Sequence, residues 1–155
     1  MELSGDLREK DFSGLDLSGV VFRQADLYRS NFAQCDLADA VFDQCFAAEA
    51  DFTQANCARL QALGSSFYRA RFAGANLREA LLWRCVLAGA DLRGADLKQI
   101  TATLDCNTFE EIRLDRAASI ELAYLFGRAR TKHRERWLAV VGPRDLAWLG
   151  RVFAR

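Results

Sequence analysis

The chain has 155 residues, of which 51% are hydrophobic and 27% charged; this suits one folded domain with an appendage and excludes a disordered chain. Its 21 basic and 21 acidic residues give a formal net charge of zero, so no overall field draws the protein to nucleic acid or to an anionic membrane. No apolar run approaches the roughly 18 residues of a membrane-spanning helix, and the N-terminus lacks the pattern of a secretion signal. A cytoplasmic location is therefore expected.

A large apolar residue recurs at every fifth position from Leu7 to Leu97. Sixteen of the nineteen positions in this series are Leu or Phe, and the exceptions are Ala47, Cys57 and Ala62. The residue two positions before each of these centres is mostly small and most often Ala, and Asp or Asn usually stands between the two. A period of five fits neither an α-helix nor a β-strand, because the apolar side chains would point in changing directions. It does fit short straight steps joined by right-angle turns, in which every centre points inward.

Four such steps close a square coil, and stacked coils pair as parallel strands about 4.8 Å apart. Nineteen repeats make nearly five coils, so the pattern predicts an all-β solenoid. The outward Asp and Asn side chains are expected to hydrogen-bond to the turn backbone. The centres of one face are expected to stack in the core, and they are Phe12, Phe32, Phe52, Phe72 and Leu92.

The segments Ala90-Asp91-Leu92 and Ala95-Asp96-Leu97 resemble the A(D/N)LXX motif of the pentapeptide-repeat family. The resemblance covers residues 5–99 and implies a right-handed quadrilateral β-helix. Together with the end of the repeat after Ile100, it predicts a rod domain at 1–100 and a helical extension at 101–155. It also implies binding and not catalysis. The best understood bacterial members resemble duplex DNA in width and charge, bind DNA gyrase, and confer quinolone resistance or immunity to gyrase poisons.

Four of the five cysteines occupy inward positions of the repeat, namely Cys35, Cys45, Cys57 and Cys85. They are expected to pack as small buried hydrophobes. Cys45 and Cys85 are two coils, roughly 10 Å, apart, too far for a disulfide or a shared metal ion. Only Cys106, after the last repeat, is expected to be exposed.

The sequence contains no catalytic constellation. His133 is the only histidine, and the carboxylates recur as part of the repeat and not as an isolated pair. The glycine motifs of phosphate-binding and dinucleotide-binding loops do not occur. We therefore expect no enzymatic activity, no metal site and no cofactor.

Several outward positions on two adjacent faces are apolar and predict an apolar stripe along one edge of the rod, formed by Val21, Val41, Phe46, Leu63, Tyr68, Leu81, Trp83 and Val86. A contiguous apolar surface on a soluble protein is normally covered by something. Three occupants are open: the chain's own C-terminal helices, a second copy in a homodimer, or a dedicated protein partner.

Helical signals replace the five-residue period after Ile100. Thr108 and Glu111 have the spacing of a capping box, Gly127 suits a helix end, and Pro143 suits the first turn of a last helix. Two or three amphipathic helices are expected to cap the last coil, cover the stripe or make a dimer. An alternating basic run is expected to be a solvated surface, and it comprises Arg128, Arg130, Lys132, Arg134 and Arg136.

These patterns together predict a cytoplasmic, non-enzymatic scaffold that binds a protein partner or forms a homodimer through its rod or its helical cap. Two alternatives are open. One is a DNA mimic that binds DNA gyrase, and the other is a bacterial effector or adaptor that presents its helical extension to a partner. Direct binding to nucleic acid or to a membrane is not expected.

Overall fold

Six short parallel strands recur along the repeat region, and each pairs with the next one in the chain. They are β1 (Glu2–Asp6), β2 (Val21–Asp26), β3 (Val41–Asp43), β4 (Gln61–Leu63), β5 (Leu81–Trp83) and β6 (Thr101–Ala102). The register joins residues twenty positions apart, such as Val21 with Val41. These strands come from a computed structural model, which describes residues 1–102 and 111–128. The repeat region is a parallel β-solenoid of about five turns, as the five-residue period predicts.

The other three faces of each coil stack through single bridges with the same twenty-residue spacing. Examples are the bridge from Asp11 to Asn31, the bridge from Asp16 to Asp36 and the bridge from Phe46 to Ser66. Each coil therefore has four faces, and each face repeats directly above itself along the rod.

The residue two positions after every centre has a left-handed backbone conformation, with φ between +49° and +73°. This conformation lets the chain turn at each corner of the coil. Only a minority of these positions are glycine, although a residue with a side chain is disfavoured there. Stacking holds the others in place, since their N–H groups donate to the next coil, as from Gln34 to the carbonyl of Thr53 at 2.9 Å.

The outward Asp and Asn side chains hydrogen-bond to the turns, which confirms that prediction. The Oδ1 atom of Asp11 accepts a hydrogen bond from the Ser13 N–H at 3.0 Å. The amide side chains also join coils, because Nδ2 of Asn56 donates to Oδ1 of Asp36 at 2.9 Å and Nδ2 of Asn76 donates to Oδ1 of Asn56 at 2.9 Å. Such ladders satisfy polar groups along the outside of the rod.

The centres form one continuous core along the rod axis. Phe32 and Phe52 are fully buried, Phe72 and Leu92 nearly so, and Phe12 in the first coil is half-buried. Ring centroids lie 4.9 Å apart for Phe12 and Phe32, 4.9 Å for Phe32 and Phe52, and 4.7 Å for Phe52 and Phe72. These distances equal the spacing of hydrogen-bonded strands, so the coils stack at the predicted interval.

The segment that follows the last coil first adds another strand-like pairing and then becomes helical. The Arg113 N–H donates to the Ala90 carbonyl at 2.8 Å, and the Leu92 N–H donates to the Arg113 carbonyl at 2.9 Å. Helix α1 (Arg116–Arg128) then begins. The prediction of a helix start at Thr108 with Glu111 in its first turn is wrong at Glu111, which has a left-handed φ of 53°. The open backbone edge of the last coil pairs with the segment around Arg113, and this pairing prevents a helix from forming at Glu111.

Helix α1 caps the end of the solenoid. Oδ1 of Asp115 accepts the Ala118 N–H at 2.9 Å, as a helix N-cap does, and the second carboxylate oxygen accepts the Gly94 N–H of the last coil. Leu122 is buried and faces the same small apolar space as Leu92. This confirms one of the placements expected for the extension. The further helices predicted around Pro143 lie outside the described residues.

None of the helices in the described part of the chain is long and apolar enough to cross a membrane.

Candidate interaction surface

The cysteines of the repeat region point into the solenoid, where all four are free and buried: Cys35, Cys45, Cys57 and Cys85. The Cys45 thiol donates to the carbonyl oxygen of Phe22 in the preceding coil, with an Sγ–O distance of 3.2 Å. Ser65 takes the same place one coil later, and its hydroxyl donates to the Phe42 carbonyl at 2.9 Å. Where a Cys or Ser occupies the small inward position, its side chain thus donates a hydrogen bond between coils, which is a structural role.

We expect these four thiols to be protected from thiol reagents in the folded protein. Burial raises the pKa of Cys35 and of Cys85 to about 11, and it also raises the pKa values of Cys45 and Cys57. In a Cys106→Ser variant at pH 8, an aromatic disulfide reagent should detect no rapidly reacting thiol before denaturation and four after it. Rapid reaction of several thiols in the native protein would contradict their placement.

The raised thiol pKa values also predict a change of stability with pH. A thiol whose pKa is higher in the folded than in the unfolded chain stabilises the fold fully below the unfolded pKa of about 8.5. This contribution is lost as the pH rises toward the folded pKa, which is about 11 for Cys35 and Cys85. The free energy of unfolding, measured by urea titration, should therefore fall between about pH 8.5 and pH 10.5 by more in the wild type than in a Cys35→Ala variant.

The predicted apolar stripe lies on two adjacent faces, but its members differ in exposure. Phe46, Tyr68, Trp83 and Val86 are exposed by 49%, 38%, 52% and 40%. We call these four residues the apolar patch. The other four members are half-buried, and they are Val21, Val41, Leu63 and Leu81.

Most of the exposed large apolar side chains in the described residues belong to the apolar patch. The two others are Met1, at the chain start, and Leu15, which is 49% exposed on the other side of the rod. The side of the rod opposite the patch carries mainly small and polar outward residues, as the sequence indicates. The apolar patch is therefore a local feature of one edge and not a general property of the surface.

Arginine side chains lie against two of the aromatic rings on this edge. The guanidinium of Arg29 lies 4.9 Å from the centre of the Tyr28 ring, and that of Arg69 lies 5.0 Å from the centre of the Tyr68 ring. The Tyr28 ring also stacks beside Phe46, with 6.2 Å between the ring centres. Aromatic residues and arginine are the residue types enriched where protein interfaces gain most of their binding energy.

The charge of the rod is divided along its length. Residues 1–51 contain eleven acidic and four basic residues, whereas residues 52–102 contain three acidic and seven basic residues. The net charge of the whole repeat region does not show this division, but the net charges of its two halves do. The apolar patch crosses the boundary, with Phe46 in the acidic half and Tyr68, Trp83 and Val86 in the basic half.

Hydrogen-bond donors lower the pKa values of several carboxylates in the acidic half. Arg8 Nη2 donates to Asp6 Oδ2 at 2.7 Å, and this bond lowers the pKa of Asp6 to about 2. Hydrogen bonds from Ser13 and Ser18 lower the pKa values of Asp11 and Asp16 in the same way. These groups therefore stay ionised well below neutral pH.

Several predicted residues fall beyond the region that the structure describes. Arg128 is the last residue of α1, while the rest of the basic run, together with Cys106 and His133, lies outside the described residues. Within residues 1–102 and 111–128, no group of His, Cys, Asp or Glu side chains is arranged to hold a metal ion.

The sequence matches the family model for pentapeptide repeats, with eight copies at residues 6–44, 30–61 and 65–101, more than half of the chain. No curated protein matches it in sequence. A similar solved structure is that of HetL, a pentapeptide repeat protein involved in heterocyst differentiation regulation in the cyanobacterium Nostoc sp.. The two share 32% identity and a TM-score of 0.64 over 66% of this chain and 46% of HetL, so this chain spans less than half of HetL.

Two other solved structures are less similar. Rfr23, a pentapeptide repeat protein from the cyanobacterium Cyanothece, shares 25% identity and a TM-score of 0.43 over 66% of this chain and 61% of Rfr23. QnrB1, a plasmid-mediated fluoroquinolone resistance protein, shares 19% identity and a TM-score of 0.36 over 84% of this chain and 89% of QnrB1. Neither likeness supports a functional comparison.

Proposed function

Because this chain belongs to the pentapeptide-repeat family, we propose that it is a non-enzymatic scaffold that binds a protein partner through the apolar patch. The observation that carries this proposal is the exposure of four large apolar side chains on one edge of a rod whose opposite side carries mainly small and polar residues. A protein partner that buries this edge would remove apolar surface from water at little conformational cost.

The rigidity of the patch supports the proposal. Each of its residues stands on a coil whose backbone bonds to the coils on both sides. The Phe46 N–H donates to the Ala25 carbonyl of the preceding coil, and the Ala47 N–H donates to the Ser66 carbonyl of the next coil. Binding therefore orders side chains and leaves the backbone unchanged, so little entropy is lost on association.

We expect Phe46→Asp and Trp83→Ala to weaken partner binding, each by about 30-fold or more, which corresponds to about 2 kcal/mol for a central aromatic contact. The matched control is Leu15→Asp, since Leu15 and Phe46 are each 49% exposed but lie on different sides of the rod. A partner recovered from extract with the full chain is purified, and its affinity for each variant is measured by titration calorimetry. Equal affinities for Phe46→Asp, Leu15→Asp and the wild type would show that the patch is not the site.

The DNA-mimic alternative requires negative charge along the whole rod, because duplex DNA carries a uniform negative charge. The net charge of residues 52–102 is instead positive, with seven basic and three acidic residues. This division of charge favours the scaffold. A gyrase supercoiling assay, run with and without a quinolone, separates the two: we expect no effect at stoichiometric amounts, and inhibition or quinolone protection would make gyrase the partner.

A further inference from the structure

The face that carries Phe46 and Tyr68 also carries a column of alternating charge. Glu9, Arg29, Glu49 and Arg69 occupy the same corner of four successive coils, each with a left-handed backbone. We call these four residues the charge column. Acidic and basic residues alternate in it along the rod.

The middle of the charge column is already paired, and its ends are not. Arg29 Nε donates to Glu49 Oε2 at 2.8 Å. Neither Glu9 nor Arg69 forms an ion pair with any residue of the described ranges, and both are exposed. The Arg69 side chain lies over the ring of Tyr68 and beside Gly89 of the next coil. The column therefore ends in an exposed carboxylate, which acts on Arg8 and Arg29 only through longer-range charge interaction, and in an exposed guanidinium three coils away.

An acid–base–acid–base column is complementary to a reversed copy of itself. When a second rod packs antiparallel against this face, a two-fold axis between the coils of Arg29 and Glu49 brings Glu9 opposite Arg69 of the second copy. The same axis brings Arg29 opposite Glu49 of the second copy, and every contact occurs twice. A parallel copy in the same register would instead set each charge against its like.

We propose that a second copy of the chain binds the part of this face that carries Phe46 and Tyr68, in an antiparallel dimer in which the first four coils overlap. This inference rests on the proposed function, since it uses the same face for docking. Phe46 and Tyr68 lie within the overlap, whereas Trp83 and Val86 lie beyond it. The arrangement also sets the acidic half of each rod against the basic half of the other. Apolar side chains with charged residues around them are the usual composition of such an interface.

The test is sedimentation velocity of the full chain, from about 1 to about 300 µM at low salt, the range in which small interfaces associate. We expect a reversible monomer–dimer equilibrium that weakens with added salt. Glu9→Arg and Arg69→Glu should each raise the dimer dissociation constant about tenfold or more. A chain that carries both exchanges should dimerise again, because opposite charges then face each other once more. Failure of the double exchange to restore the dimer would overturn the antiparallel register.

Two controls locate the interface. The exposed pair Asp39 and Arg59 also joins successive coils, with an N–O distance of 2.5 Å, but lies on a different face. Arg59→Glu should leave the dimer unchanged, whereas Phe46→Asp should abolish it. Trp83→Ala should also leave it unchanged, and loss of the dimer in that variant would contradict the proposed overlap.

The result separates this inference from the proposed function. If the wild-type chain stays monomeric at every concentration, the dimer is overturned. If another protein binds the wild-type chain and binds the Trp83→Ala variant more weakly, the scaffold proposal is supported. Conversely, a dimer that responds to the charge exchanges supports the inference even if no other protein depends on Trp83.

Discussion

Phe32→Asp should leave no soluble folded protein. The Phe32 side chain is fully buried, and its ring is stacked at 4.9 Å from Phe12 on one side and 4.9 Å from Phe52 on the other. A carboxylate between these rings has neither water nor a charged partner, and burial of such a group costs several kcal/mol or more. Since folded domains are stable by only about 5–15 kcal/mol, this single change removes most or all of that margin.

Two further variants keep the test of Phe32 informative if the aspartate variant cannot be purified. Phe32→Ala should lower the free energy of unfolding by about 3–5 kcal/mol, because it leaves a cavity in the core. Ala33→Asp changes the next residue, which points outward, and should alter stability by less than about 1 kcal/mol. Urea titration followed by circular dichroism measures both. Native-like stability of Phe32→Ala would show that the register of the repeat is wrong.

Leu122→Asp should expose the end of the solenoid and cause the protein to associate. Leu122 is 2% exposed and faces the same apolar space as Leu82 and Leu92 of the last coil. A charge at this point displaces α1, which uncovers apolar centres and unpaired backbone groups of the final coil. We expect a loss of about 2–5 kcal/mol in the free energy of unfolding and the appearance of large species in light scattering.

Ala117→Asp is the matched control for the cap, because Ala117 lies on the same helix but is exposed. An acidic residue in the first turn of a helix is favourable, so this variant should be as stable as the wild type and should not aggregate. If Leu122→Asp remained monomeric with unchanged stability, α1 would not be the cap of the solenoid.

The repeat region could be predicted from the sequence because one periodic signal determines its whole geometry. The same constraint is repeated at nineteen centres, such as Phe52, and a coil with four steps satisfies all of them. The stacking distance, the inward cysteines and the bonds from Asp11 to the turn follow from that geometry. The family resemblance pointed to the same fold.

The parts that the sequence did not predict depend on contacts between distant residues. The start of α1 depends on the open backbone of Ala90 and Leu92, which pairs with Arg113 and prevents a helix at Glu111. The exposure of the stripe also depends on packing, since Val21 and Val41 pair side by side on adjacent strands and are half-buried, whereas Phe46 is exposed. The charge column becomes visible only when residues twenty positions apart are placed in one line.

Hydroxyl-radical footprinting of the dilute full chain, read by mass spectrometry, tests most directly the claim that one register sets both the core and the apolar patch. We predict rapid oxidation of Phe46, Tyr68 and Trp83, and strong protection of the buried Phe32, Phe42 and Phe52. Oxidation of Phe52 as fast as that of Phe46 would contradict the register, and with it the docking surface.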